Sequence, residues 1–298
     1  MPRPSACARC SISGASLGAL RLGIYEKALP PPARSADGGW HTLLAQAARA
    51  GYEFAELAID ESDERRARLR WSAAERARLR EAVAASGVPV RTWILSAQRA
   101  TPLGSLQAST RAKALDMLRR CIDLAVDTGA RLVQLPGYYV YYGPREAGAR
   151  ARFIDGLRIG LEAAAPAGVM LALETMDGRD ITSVRRAMQI VRHVASPWLA
   201  VYADIGNLAA NGLDVASELR AARGRLAGVH LKDARLGEYR RVPFGAGIVP
   251  FAQAFAALRG SGYDGPYVVE MWNEGDPDAL QTVVRARRWL QSQAEAAA

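Results

Sequence analysis

Four residues near the ends of apolar runs in the C-terminal half have the types and spacing for metal chemistry. VMLALE ends in Glu174, LAVYAD ends in Asp204, LAGVHLKD carries His230 and PYVVEMW carries Glu270. The intervals are 30, 26 and 40 residues, each about one strand-plus-helix unit. Three carboxylates brought to one mouth repel each other unless a cation stands between them, and a divalent ion also satisfies their lone pairs. Three oxygen ligands and one nitrogen suit Mn, Mg, Co or Zn alike. Taken singly, each residue reads equally well as a hydrogen-bonded strand end. Four in register on consecutive strands read better as a metal quartet.

The elements that would position them come from the apolar rhythm. From residue 21 onward, short apolar runs alternate with longer helical patterns about eight times. The predicted strands are Leu22–Glu26, Phe54–Asp60, Val90–Ser96, Leu132–Gly137, Val169–Glu174, Leu199–Asp204, Ala227–Lys232 and Tyr267–Trp272. Most are near-continuous apolar runs, as expected of parallel strands buried on both faces. The predicted helices cover 41–50, 72–86, 106–128, 146–166, 181–194, 214–222, 251–260 and 277–295. Ser72 with Glu75 forms a capping box, and Gly87, Gly129, Gly168 and Gly262 follow helices. Eight alternations predict an α/β fold, a single (βα)8 TIM barrel over 21–298 behind a loose tail at 1–20. An open doubly wound sheet is the alternative, but no G-x-G-x-x-G follows the first strand. In such a barrel the chemistry lies at the strand C-termini. The insertion Pro30–Gly39 reads as a surface loop or a lid there.

The 298 residues are half hydrophobic, with a net charge of +9 carried mostly by arginine. The densest basic stretch, Arg65 to Arg80, reads as a solvated helix face, and no basic-aromatic motif supports a nucleic-acid surface. A positive field would also attract a small anion. No apolar run approaches a membrane span or a secretory signal. Cys7 and Cys10 form a lone C-x-x-C without a second pair, Cys121 reads as core, and the usage fits a reducing cytoplasm. His193 falls in the last turn of a helix and His41 opens one, so neither reads as a ligand.

Five segments carry a resemblance: LGIYEKALP at 22–30, LSAQRATPLGS at 95–105, YADIGNL at 202–208, HLKD at 230–233 and VPFGAGIVPF at 242–251. They resemble the L-ribulose-5-phosphate (L-xylulose-5-phosphate) 3-epimerase family, within the xylose-isomerase-like barrels. HLKD alone is weak, since related isomerases share it. The resemblance implies one divalent metal held by Glu174, Asp204, His230 and Glu270, with the two glutamates as the acid–base pair. It covers nearly everything from residue 21. Gln98 stands where the family usually has histidine; it can hydrogen-bond a substrate oxygen but cannot carry charge, which bears on substrate identity more than on reaction type.

The implied reaction moves the proton at C3 of a ketopentose 5-phosphate through an enediolate. Lys27 and Lys232, two of only three lysines, fall at predicted strand ends and are candidates for the phosphate, with Arg99 a third. Each could instead pair with a neighbouring carboxylate. Tyr138, Tyr139, Asn207 and Trp272 are expected to line the pocket, and Glu26 to bond sugar hydroxyls or pair with Lys27. The expected partners are a sugar phosphate and a second copy of the chain, with neither nucleic acid nor membrane. Rival readings are an aldose–ketose isomerase (hexulose-6-phosphate or hydroxypyruvate isomerase) and a degenerate barrel that binds sugar phosphate. An apurinic endonuclease would need more histidine than this chain's three.

Overall fold

In a computed structural model of the chain, residues 20–31, 38–144, 146–273 and 275–297 are described. The tail with Cys7 and Cys10, and most of the 30–39 insertion, lie outside them.

Eight parallel strands close into a barrel. They are β1 (Leu22–Tyr25), β2 (Phe54–Ala58), β3 (Val90–Ile94), β4 (Leu132–Pro136), β5 (Met170–Glu174), β6 (Leu199–Asp204), β7 (Leu226–Leu231) and β10 (Tyr267–Val269). Their order around the barrel is β1-β10-β7-β6-β5-β4-β3-β2. Two further strands among the described residues, β8 (Asp233–Arg235) and β9 (Glu238–Val242), form an antiparallel hairpin just beyond β7. The helices are α1 (Trp40–Arg49), α2 (Asp63–Ala67), α3 (Ala73–Ser86), α4 (Ala108–Thr128), α5 (Ala149–Ala164), α6 (Val184–Val194), α7 (Ile205–Ala210), α8 (Val215–Ala221), α9 (Phe251–Gly260) and α10 (Ala279–Ala296).

The expected strands are present, several of them shorter at the C-terminal end. The backbone leaves the ladder there to turn side chains into the mouth: Glu26 and Ser96 already begin 3-10 turns. The capping box at Ser72 and Glu75 forms, and Gly87 ends α3 in the left-handed conformation. Three elements lack a signal in the apolar rhythm. Helices α2 and α7 are too short to show helical periodicity, and the β8–β9 hairpin is mostly polar and exposed.

The large core between barrel and helices holds Leu57, Trp93, Leu118, Cys121, Leu173 and Leu258, all fully buried. Burial pushes the Cys121 thiol far up, so it stays a neutral core residue, as its helical position suggests. Two smaller clusters are built around aromatic rings: Tyr25 and Phe54 with Ala58, Ile94 and Val268, and Tyr202 with Leu132 and Ala172. Gly228 makes room for Tyr202, since a Cβ there would come within 2.4 Å of the ring.

The Arg65–Arg80 stretch is not one solvated face. It breaks into α2, a 3-10 turn over Arg68–Arg70, and α3. Arg68 is buried, with its guanidinium on Glu26 and over the Trp40 ring.

Candidate active site and metal centre

Glu174, Asp204, His230 and Glu270 converge at the C-terminal ends of β5, β6, β7 and β10. One potential ligand atom from each lies within 4.8 Å of the others. All four residues are buried. The hydrogen-bonding around them is specific. Asp204 caps α7, its Oδ1 accepting from the Asn207 backbone N–H at 3.0 Å, while Asp204 N–H donates to Thr175 Oγ1. His230 Nδ1 lies 2.8 Å from Glu174 Oε1 and 3.8 Å from Glu270 Oε2. Gln134 Nε2 donates to Glu174 Oε2.

Lys232 does not stand apart as an anion site. Its ammonium is inside the cluster, 2.6 Å from Asp204 Oδ2 and 3.0 Å from Glu270 Oε2. Gly206 lets the lysine stem pass, since a Cβ there would meet Lys232 Cγ at 2.4 Å. The last residue of HLKD has a structural task. The Asp233 carboxylate accepts N–H bonds from Ala234, Gly245, Gly247 and Val249, which folds the VPFGAGIVPF loop against the hairpin.

The electrostatics follow from burial and shared charge. Burial pushes Asp204 up to about 7, assisted by Glu270 and Glu174 and opposed by Lys232. Burial also acts upward on Glu270, but the Lys232 ammonium and His230 overcome it and hold the carboxyl down at about 2. Burial opposes charge on His230 and Lys232, yet the surrounding carboxylates raise both. Two carboxylates sharing one ammonium cannot both ionise easily, and the more deeply enclosed Asp204 keeps its proton longer. The donor set fits a divalent cation: three carboxylate oxygens and one imidazole nitrogen, partly neutralised and in reach of one another. Such an ion would displace the proton from Asp204.

A cavity of about 220 Å³ opens over the cluster, lined by Glu174, Lys232, Glu270, Trp272, Lys27, Arg99, Arg240 and Asn207. Lys27 Nζ is 2.6 Å from Asp60 Oδ2, and the Arg99 guanidinium lies over Tyr141 with Nε buried and unpartnered. Asn207 Nδ2 is held by the Thr175 carbonyl. The hairpin brings Arg240 over the Trp272 ring at 5.2 Å.

Several expected site residues lie elsewhere. Gln98 faces outward, its amide donating to the Ala114 carbonyl of α4, because the 3-10 turn after β3 rotates it away from the mouth. Glu26 pairs with Arg68 rather than Lys27 and is enclosed by that partner. Tyr138 bonds Asp177 and stacks on Tyr141, and Tyr139 packs on Phe153; neither lines the cavity. His193, expected to be no ligand, is exposed in the last turn of α6.

Glu56 was missed. It is wholly buried in β2, with Oε1 2.6 Å from His230 Nε2 and Oε2 accepting from the Tyr202 hydroxyl at 2.7 Å. The signal was there: a glutamate inside the apolar run FAELA must have partners, because an unpaired buried charge is too costly. Gln134 in LVQLP carries the same signal.

Residues 44–293 match the xylose isomerase-like TIM barrel family model. The chain belongs to that family. It is 43% identical over 271 residues to L-ribulose-5-phosphate 3-epimerase UlaE of Shigella sonnei (strain Ss046), covering 91% of this chain and 94% of the relative. The same protein of Escherichia coli (strain K12 / DH10B) is 42% identical over the same shares. A solved L-ribulose 3-epimerase superposes with a TM-score of 0.78 at 21% identity, covering 93% of this chain and 95% of that one, a likeness of fold. Within the barrel family the chain is thus a member of the L-ribulose-5-phosphate 3-epimerases, an isomerase-class sugar 3-epimerase.

Proposed function

We propose that the enzyme interconverts L-ribulose 5-phosphate and L-xylulose 5-phosphate, with one divalent metal held by Glu174, Asp204, His230 and Glu270. The 43% identity to a protein of that activity, across 91% of the chain, carries this reading.

A divalent ion held by these four residues would supply positive charge that stabilises the negative charge developing on the sugar as its C3 proton leaves. The rest is the work of the chain. Glu174 and Glu270 come from nonadjacent strands and both line the cavity, so one can take the C3 proton while the other returns a proton to the opposite face. Which acts first depends on the epimer bound. Trp272 and Asn207 both line the cavity. Lys27, Arg99 and Arg240 line the same cavity and are candidates to meet a phosphate.

Turnover in D₂O tests the reaction. Epimerisation places deuterium at C3 with inverted configuration and leaves the carbonyl at C2. Label at C1 or C2 with an aldose product would establish aldose–ketose isomerisation instead.

A further inference from the structure

The His230 imidazole is held between two carboxylates from opposite parts of the barrel. Nδ1 faces the cluster, 2.8 Å from Glu174 Oε1, and Nε2 faces away from it, 2.6 Å from Glu56 Oε1. Glu56 comes from β2, three strands from β7 around the barrel, so this contact crosses the interior. Neither Glu56 nor His230 has any accessible surface. The second Glu56 oxygen takes the Tyr202 hydroxyl at 2.7 Å, and the Tyr202 ring lies against the imidazole with centroids 4.6 Å apart. Gly228, two residues before His230, keeps the space that this ring needs.

A neutral imidazole has one N–H and one lone pair, and only the lone pair can bind a metal. A carboxylate accepts but cannot donate, so Glu56 favours the tautomer with the proton on Nε2. Without a cation, Nδ1 can also hold a proton, shared with Glu174 Oε1. A bound divalent ion replaces that proton, and the Nε2–H held by Glu56 then leaves the Nδ1 lone pair for the ion among Glu174, Asp204 and Glu270. We infer that Glu56, held by Tyr202, is the positioning residue that fixes the His230 tautomer and ring for binding a divalent cation through Nδ1. The inference rests on the metal-site reading proposed above. Glu56 is separated from the cluster by the imidazole, so it acts through His230 rather than on the substrate.

The replacement Glu56→Gln keeps the size but offers an amide that can donate to Nε2 and so admit the wrong tautomer. Partners of this kind are worth about 10- to 100-fold in metal affinity when lost. Metal-free wild type, Glu56→Gln and Tyr202→Phe are titrated with Mn²⁺ against a competing chelator, with thermal unfolding of the metal-free forms alongside. The wild-type imidazole is read by ¹⁵N NMR with Zn²⁺ bound.

The expected result is a loss of at least tenfold in Mn²⁺ affinity for Glu56→Gln, a smaller loss for Tyr202→Phe, and a wild-type spectrum with Nε2 protonated and Nδ1 shifted by the metal. Unchanged Mn²⁺ affinity in a folded Glu56→Gln overturns the inference and leaves the metal reading intact. So does a wild-type spectrum with the proton on Nδ1, which decides the matter even if the variant fails to fold. A wild type that binds no divalent ion overturns the metal reading and this inference together.

Discussion

Arg68 grips Glu26 with both prongs of its guanidinium, Nη1 on Oε1 at 2.6 Å and Nη2 on Oε2 at 3.0 Å, beneath the rim of the active-site mouth. The Ala58 backbone N–H donates to the same Oε1, so this one pair ties β1, β2 and the turn after α2 together. Burial acts upward on the Glu26 carboxyl, but Arg68 and Arg65 overcome it and hold it below its usual 4.5.

The pair makes stability acid-sensitive. The native carboxyl titrates lower than the unfolded one, so between the two values the unfolded chain binds more protons. The contribution is whole above about 4.5 and fades as pH falls through the lowered native value. Urea unfolding at pH 7 and pH 4 should show a shallower acid loss for Glu26→Gln than for wild type. Removing Arg68 alone, as Arg68→Met, leaves the buried carboxylate only Arg65 at 3.5 Å and the Ala58 N–H, and should cost about 3 kcal/mol at pH 7. A loss under 1 kcal/mol would show that Arg65 or solvent compensates the Glu26 carboxylate.

Metal should govern both turnover and stability. Dialysis against a chelator is expected to abolish epimerisation, and a divalent ion to restore it. An ion at 100 times its dissociation constant should add about 2.7 kcal/mol to unfolding. Full activity in a metal-free sample, checked by elemental analysis, would refute the metal centre.

Glu174→Gln and Glu270→Gln should each lower kcat by about 10² or more, since each removes a proton-transfer group together with a ligand charge. His193→Ala, on the exposed side of α6, should be silent. Wild-type rates in folded Glu174→Gln or Glu270→Gln would dismiss the acid–base assignment.

Lys27 and Arg99 should matter to the phosphate and not to the chemistry. Arg99→Ala is expected to raise KM for L-ribulose 5-phosphate by about tenfold or more, with little effect on the rate with free L-ribulose, because remote phosphate contacts help drive the reacting centre into place. Lys27→Met should act in the same direction but less, since Asp60 already shares its charge. Equal loss on both substrates would assign these cations a structural role only.

The barrel was legible because parallel strands buried on both faces must be apolar throughout, and their periods repeat. Glu174, Asp204, His230 and Glu270 were legible for a related reason: a polar residue closing an apolar run at each strand end has only the barrel mouth to face. Register along the chain was enough to align them. What sequence could not decide was which charge answers which. Lys232 and Lys27 both followed strands and looked alike, yet one enters the carboxylate cluster and the other pairs with Asp60 at the rim. Gln98 stood in a motif segment but turned toward α4, because a short 3-10 turn reorients a side chain without any apolar periodicity to announce it. Glu56 and His230 are 174 residues apart, and their contact exists only because the closed barrel brings β2 and β7 across a shared interior. Side-chain types and strand ends are properties of local sequence; charge pairing is set by distances of a few ångströms between distant segments, and those are set by closure of the fold.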